Sequence, residues 1–224
     1  MKRNLLFLLV LPTLLVAQSK YGLHTTQLAE YQTSLKTNAD KELVNLSKVA
    51  PEIVLEIGYA TEKNFTGKKI YTMARAYVRK PVAAALKRAQ KEFNSAGYGI
   101  KVFDAYRPYT ATVKFYEEYH DTTYVASPYR GSRHNRACAL DMTLIDLKTG
   151  KDVPMPTAWD SFDTSAWPTA PVSDPIIRKN RDMLITIMER NGFTVYEHEW
   201  WHFDFNGWKE YEVMDIDFEE LEKI

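Results

Sequence analysis

Two short stretches of this chain hold residues that can do chemistry together. The first is Ser132-Arg133-His134-Asn135-Arg136-Ala137-Cys138-Ala139-Leu140-Asp141, with a histidine and an aspartate seven positions apart and small residues between them. The second is Glu199-Trp200-Trp201-His202. A catalytic zinc takes three protein ligands and keeps one position open for water. His134, Asp141 and His202 supply two nitrogens and one oxygen for such a site. A zinc peptidase also needs a base that is not a ligand. Glu199, three residues before His202, fits that role: it takes a proton as water attacks a carbonyl and passes it to the leaving amine. The oxyanion formed on the way needs a positive partner besides the metal. Arg107, in Asp104-Ala105-Tyr106-Arg107-Pro108, is the candidate.

These residues must be placed by elements that the sequence pattern also suggests. A turn at Val49–Glu52 feeds a strand with Ile53, Leu55 and Ile57 on one face. Pro81 opens a helix on which Val82, Ala85, Leu86, Ala89 and Phe93 recur at helical spacing, and Gly97 ends it. Ile100–Asp104 alternates as a strand. Arg107-Pro108 turns the chain into a helix over Tyr109–Tyr119. Cys138–Leu147 is a further strand. Residues 152–175 hold five prolines and form a long loop of the kind that is often functional. Asp174 then caps a helix with Pro175 at its first position and a buried stripe of Ile177, Leu184, Ile187 and Met188. Phe193–Val195 and Trp201–Phe205 pair as antiparallel strands. Strands and helices do not alternate as in a doubly wound sheet, so the expected class is α+β, an antiparallel sheet flanked by helices. His24, His120 and His198 are read as structural or exposed.

The 224 residues suit one domain, with 45% hydrophobic and 26% charged residues. Basic and acidic residues number 29 each, which argues against a nucleic-acid partner. Lys2 and Arg3 precede an apolar run from Leu5 to Val16, and Ala17 offers a small residue before a cut. This is a secretory signal pattern over 1–17, and the run is too short to span a bilayer as a stable helix. The mature chain is therefore expected in the periplasm or outside the cell, without stable membrane insertion. Residues 18–45 are polar and read as a loose lead-in to a catalytic domain over 46–224. Cys138, the only cysteine, allows no internal disulfide and reads as a small buried residue. The sequence does not fix an oligomeric state.

The four ordered motifs together resemble the VanX-type D-Ala-D-Ala dipeptidases, zinc peptidases related to D,D-carboxypeptidases and to the Hedgehog-like metal fold. Tyr59-Ala60-Thr61 with Asn64-Phe65-Thr66-Gly67 is similar to that family's early signature. Asp104–Pro108 is similar to its arginine motif, and the other two stretches to its metal motifs. The likeness spans about Val49 to Phe205. It implies one zinc per chain on His134, Asp141 and His202, with Glu199 as base and acid and Arg107 at the oxyanion. It further implies that Asp160 meets the ammonium of a small D,D-dipeptide and that Ser132 meets its carboxylate. Two departures stand out. The family has glycine where this chain has Ala137, so a positive φ there would strain the backbone. The loop reads Met155-Pro156-Thr157-Ala158-Trp159 where a smaller or more glycine-like stretch is common. Two alternatives share the metal residues: a D,D-carboxypeptidase or endopeptidase acting on peptidoglycan stems, and a zinc-containing binding module without catalysis. Retention of Glu199 and Arg107 argues against the second.

Overall fold

The computed structural model describes residues 19–224; the expected signal segment, 1–17, lies outside the described residues. The helices and strands in chain order are α1 (Leu28–Leu35), β1 (Leu43–Asn45), α2 (Leu46–Val49), β2 (Val54–Leu55), β3 (Tyr77–Arg79), α3 (Lys80–Ser95), β4 (Tyr98–Asp104), α4 (Tyr109–Glu118), β5 (Ala139–Asp146), α5 (Pro175–Arg190), β6 (Phe193–Tyr196), β7 (Glu199–Phe205) and α6 (Phe218–Leu221). The main sheet has the order β2-β4-β5-β7-β6. All its pairings are antiparallel except β2 with β4, which is parallel. The α+β class expected from the sequence is thus the architecture observed, with one parallel edge added. Among the described residues no helix is long and apolar enough to cross a membrane.

The apolar periodicities decide which face is covered. On α3, Val82, Ala85, Leu86, Ala89 and Phe93 are fully buried, and the helix packs on β4. On α5, capped by the Asp174 carboxylate on Ile176 N, the buried apolar residues are Leu184, Ile187 and Met188, while Ile177 is half-buried. That helix covers β6 and β7. Strand side chains alternate. Leu140, Met142 and Leu144 lie in the core, while Asp141 and Thr143 take the other face of β5. The polar face of β5 is where the candidate site forms.

One expectation is corrected. The polar stretch 18–45 is not a loose lead-in over its described part, because it carries α1 and β1. Strand β1 pairs with β3 in a two-stranded ribbon, from Leu43↔Arg79 to Asn45↔Tyr77. Arg79 is fully buried and ties the ribbon down: its guanidinium donates to the carbonyls of Lys41 and Arg136 and lies over the Tyr31 and Tyr211 rings. Polar composition concealed this, because the apolar residues that pack in or against the core, Leu28, Tyr31, Leu35, Leu43 and Val44, are few and scattered among polar ones. The strand expected around Ile53–Ile57 is also shorter than expected, reduced to Val54–Leu55, although Ile53 and Ile57 are buried.

Candidate active site

Asp141 and His202 are direct cross-strand partners on β5 and β7. Their side chains share a face, with Asp141 Oδ1 3.1 Å from His202 Nδ1. His134 arrives from a single 3-10 turn, His134–Arg136, just before β5. Its Nε2 stands 3.1 Å from His202 Nδ1 and 3.3 Å from Asp141 Oδ1. Among the described residues these three, all buried, form a group able to hold a metal ion.

The outer nitrogen of each ring is already engaged. His134 Nδ1 donates to the Ala105 carbonyl at 2.7 Å, and His202 Nε2 donates to Asp204 Oδ1 at 2.9 Å. When the rings are neutral, both inward nitrogens present lone pairs, and Asp141 Oδ1 presents a third. Three acceptors converging in a buried place call for a cation. Ligands held at about 2.0 Å on a tetrahedral zinc stand about 3.3 Å apart, which the observed separations match. The residues present therefore fit zinc.

The turn that delivers His134 ends at Ala137, whose φ of 56° lies in the left-handed region. Alanine pays a steric penalty there that glycine does not. Asn135 anchors the same turn: its side chain accepts from Ser132 N and donates to the Arg107 carbonyl and to Thr112 Oγ1. Ser132 Oγ accepts from His134 N at 3.2 Å, and Ser132 lines the cavity described below.

Glu199 and His202 are three residues apart, a spacing that in a regular strand sends side chains to opposite faces. The β6–β7 ladder breaks this rule. Val195 pairs with Phe203, yet the next residue, Tyr196, pairs with Glu199. The extra length on β7 turns Glu199 onto the metal face, with its Oε2 3.8 Å from His202 Nδ1. Burial, assisted by Asp141 and opposed by His202 and Arg107, pushes the Glu199 carboxyl up to about 8. Burial disfavours a charge on His202, yet Asp204 and Asp141 lift its imidazolium to about 10. A second irregularity, between Val102 and Asp104 on β4, aligns Asp104 with Asp141.

Asp104 then fixes Arg107. Its Oδ2 accepts from Arg107 Nε at 3.0 Å and Nη2 at 2.7 Å, while Tyr71 OH donates to Oδ1 at 2.8 Å. The guanidinium lies over the rings of Phe115 and Tyr59 and reaches to 3.9 Å from Asp141 Oδ2. Burial works against its charge, but Asp104 and the surrounding acidic groups keep Arg107 a permanent cation.

His134, Asp141 and His202, together with Glu199, Arg107, Ser132 and Asp160, all line one cavity of about 460 Å³. Asp160 sits in the proline-rich loop at φ 59°, a conformation that aspartate tolerates better than most residues. Tyr59 OH donates to its Oδ1 at 3.0 Å. Its Oδ2 is buried and has no hydrogen-bond partner. Burial and the charge of Asp141 push this carboxyl well above the usual range. All seven residues singled out from the sequence are thus gathered in one place. His198 sits instead in the β6–β7 turn against Trp167. Sequence reasoning did not assign roles to Tyr59, Asp104, Trp159 or Asp204. Asp204 lies two residues from His202 on the same strand, a spacing that could have pointed to it.

A family model described as D-Ala-D-Ala dipeptidase matches residues 39–220. The chain belongs to the D-Ala-D-Ala dipeptidase family. It is accordingly a peptidase of a metallopeptidase family. The D-alanyl-D-alanine dipeptidase of Escherichia coli K12 is 32% identical over 177 residues, covering 79% of this chain and 91% of that one. The enzyme of the same name from Enterococcus faecalis is 34% identical, covering 65% of this chain and 82% of its own. A solved structure of the vancomycin resistance D,D-dipeptidase VanXYg, in complex with a D-Ala-D-Ala phosphinate analog, is 16% identical with a TM-score of 0.37. It covers 74% of this chain and 67% of that one.

Proposed function

We propose that the protein is a zinc-dependent dipeptidase that hydrolyses D-Ala-D-Ala to two D-alanines. The observation that carries this reading is the buried, unpartnered Asp160 Oδ2 in the same cavity as the three converging metal-type acceptors. A buried carboxylate oxygen without a partner is costly, and an ammonium group is the partner that relieves it. A free dipeptide brings that ammonium; an acylated stem peptide does not. His134, Asp141 and His202 would hold one zinc ion. When bound, zinc supplies a Lewis acid that polarises the scissile carbonyl and acidifies water at neutral pH.

The chain's own groups do the rest. Glu199 takes the proton of the attacking water on its carboxylate and delivers it to the leaving nitrogen, so that one water is added across the peptide bond. Arg107, held rigid by Asp104 and two aromatic rings, offers a fixed positive charge to the oxyanion. Asp204 and the Ala105 carbonyl keep the two imidazoles oriented. Ser132 faces the end of the substrate that carries the carboxylate, and Asp160 the end that carries the ammonium. Charged recognition at both termini restricts the substrate to a small zwitterion.

Export of the mature chain to the periplasm or beyond the cell rests on the pattern of residues 1–17, and a place in peptidoglycan turnover follows from that location together with the substrate. The test compares D-alanine release from D-Ala-D-Ala with release from N-acetyl-D-Ala-D-Ala. Release from the free dipeptide alone supports the reading. Release mainly from the acylated peptide makes the protein a D,D-carboxypeptidase.

A further inference from the structure

A second cavity of about 590 Å³ is lined by Gly58, Phe103, Met155, Trp159 and Trp200 among others. Trp159 stands between this lining and Asp141, which lines the catalytic cavity. One edge of its indole, Nε1, points to Asp141 Oδ2 at 3.4 Å. The opposite edge rests on Gly58, where a Cβ would stand 2.2 Å from Cζ3 and 2.6 Å from Cη2. The indole stacks on Phe103 at 5.2 Å and meets Tyr59 edge-on at 4.9 Å. Only a glycine leaves room for the ring at this point, so residue 58 and residue 159 form a slot and its filler. Tyr59 and Asp160, the chain neighbours of Gly58 and Trp159, line the catalytic cavity, while Gly58 and Trp159 themselves line the other.

We propose that Trp159 is a specificity-determining residue, a partition that limits the substrate's N-terminal residue to a small side chain. The proposal rests on the dipeptidase reading given above. Asp160 carries the carboxylate assigned to the substrate ammonium. The N-terminal residue of a bound dipeptide therefore sits against the wall made by Tyr59 and Asp160, with the Trp159 indole directly behind it. Behind that wall the second cavity is lined by Phe103, Met155 and Trp200, with the ion pairs of Lys101 to Glu56 and Asp152 at its border. Its lining suits an aromatic or long apolar side chain. Removal of the indole joins the two spaces, so a dipeptide with a bulky N-terminal residue and a free ammonium gains a place to put it. An N-acylated dipeptide gains nothing comparable, because it still leaves Asp160 without its ammonium.

The experiment measures kcat/KM of the zinc-loaded protein for D-Ala-D-Ala, D-Phe-D-Ala and N-acetyl-D-Ala-D-Ala, in the wild type and in Trp159→Phe and Trp159→Ala. Deleting so large a partly buried ring can compromise folding, and Trp159→Phe, which keeps the stack on Phe103, then carries the test. The ratio of D-Phe-D-Ala to D-Ala-D-Ala is expected to rise in the order Trp, Phe, Ala, by on the order of tenfold or more at the last step. The acetylated substrate is expected to stay poor throughout. If the wild type cleaves D-Ala-D-Ala and the ratio is flat or falls in both variants, the partition is wrong and the dipeptidase reading stands. If the acetylated substrate gains as much as D-Phe-D-Ala, the wall acts on the acyl side and not on the side chain, which also overturns the proposal. A wild type that cleaves none of the three removes the dipeptidase reading and this inference with it.

Discussion

Glu199 and His202 lie three residues apart on one β-strand, yet Glu199 Oε2 approaches His202 Nδ1 to 3.8 Å. The irregular pairing of β6 with β7 produces this, by setting Tyr196 against Glu199 directly after Val195 against Phe203. The carboxylate is thereby close to the candidate metal ligands His134, Asp141 and His202 without taking the place of one of them, which is the placement a proton carrier needs. Glu199→Gln keeps the size of the side chain and removes its basicity. This variant is expected to bind zinc with near-native stoichiometry and to lose about 10²- to 10⁴-fold in kcat. Zinc analysis and initial rates on the same preparation check it, and full activity in a zinc-loaded variant would dismiss Glu199 as the base.

Asp204 holds the outer nitrogen of His202 at 2.9 Å and is itself kept ionised, below the usual carboxylate range, by His202 and Arg133 against the effect of burial. Loss of such an orienting partner typically weakens metal binding about 10- to 100-fold. Asp204→Asn is expected to show that loss in competition with a chromogenic chelator, with little change in the far-ultraviolet circular dichroism. Unchanged zinc affinity would leave Asp204 a bystander.

Ala137 adopts φ 56° at the turn that presents His134. A left-handed alanine costs about 1 kcal/mol or more relative to glycine, offset in part by the greater freedom of glycine in the unfolded chain. Ala137→Gly is expected to stabilise the metal-free protein by about 0.5 kcal/mol, seen as a higher midpoint in urea. A clear drop in the midpoint would mean that the turn depends on the alanine methyl, which is fully buried.

Cys138 is a buried free thiol that burial pushes up to about 12, against the pull of Arg79 and Arg136. At neutral pH the folded protein is expected to resist iodoacetamide and to react once unfolded. The same shift fixes a sign. Between about pH 9 and pH 12 the unfolded thiol has released its proton while the folded one retains it. Stability therefore falls as pH rises through that window, by up to about 1.4 kcal/mol per pH unit from this group. Cys138→Ala should flatten the slope, as read from urea midpoints across the window.

The legible parts of this protein are those in which residue type and spacing carry the physics. The stripe from Val82 to Phe93 has one helical reading, and the proline at 175 after Asp174 marks a helix start. His134, Asp141 and His202 could be grouped because zinc has few acceptable donor sets. What stayed hidden depends on register. Nothing in Glu199-Trp200-Trp201-His202 reveals that β6 passes several residues of β7 without pairing, and nothing in Asp104-Ala105 reveals the shift that aligns Asp104 with Asp141. The ordering of residues 28–45 was hidden for a different reason, since its few apolar anchors are scattered among polar residues and are tied together by the buried Arg79. The loop ending at Trp159 stood out in the sequence as a departure from the family pattern, but the place of the ring did not, because its slot is made by the absence of a side chain at Gly58.

The most direct test of the account is D-alanine release from D-Ala-D-Ala by the purified protein before chelation, after removal of metal, and after return of one equivalent of zinc. The account predicts hydrolysis that disappears with the metal and returns at a ratio of one zinc per chain. Undiminished hydrolysis by protein shown to be metal-free, or no hydrolysis by the fully zinc-loaded protein, would contradict it.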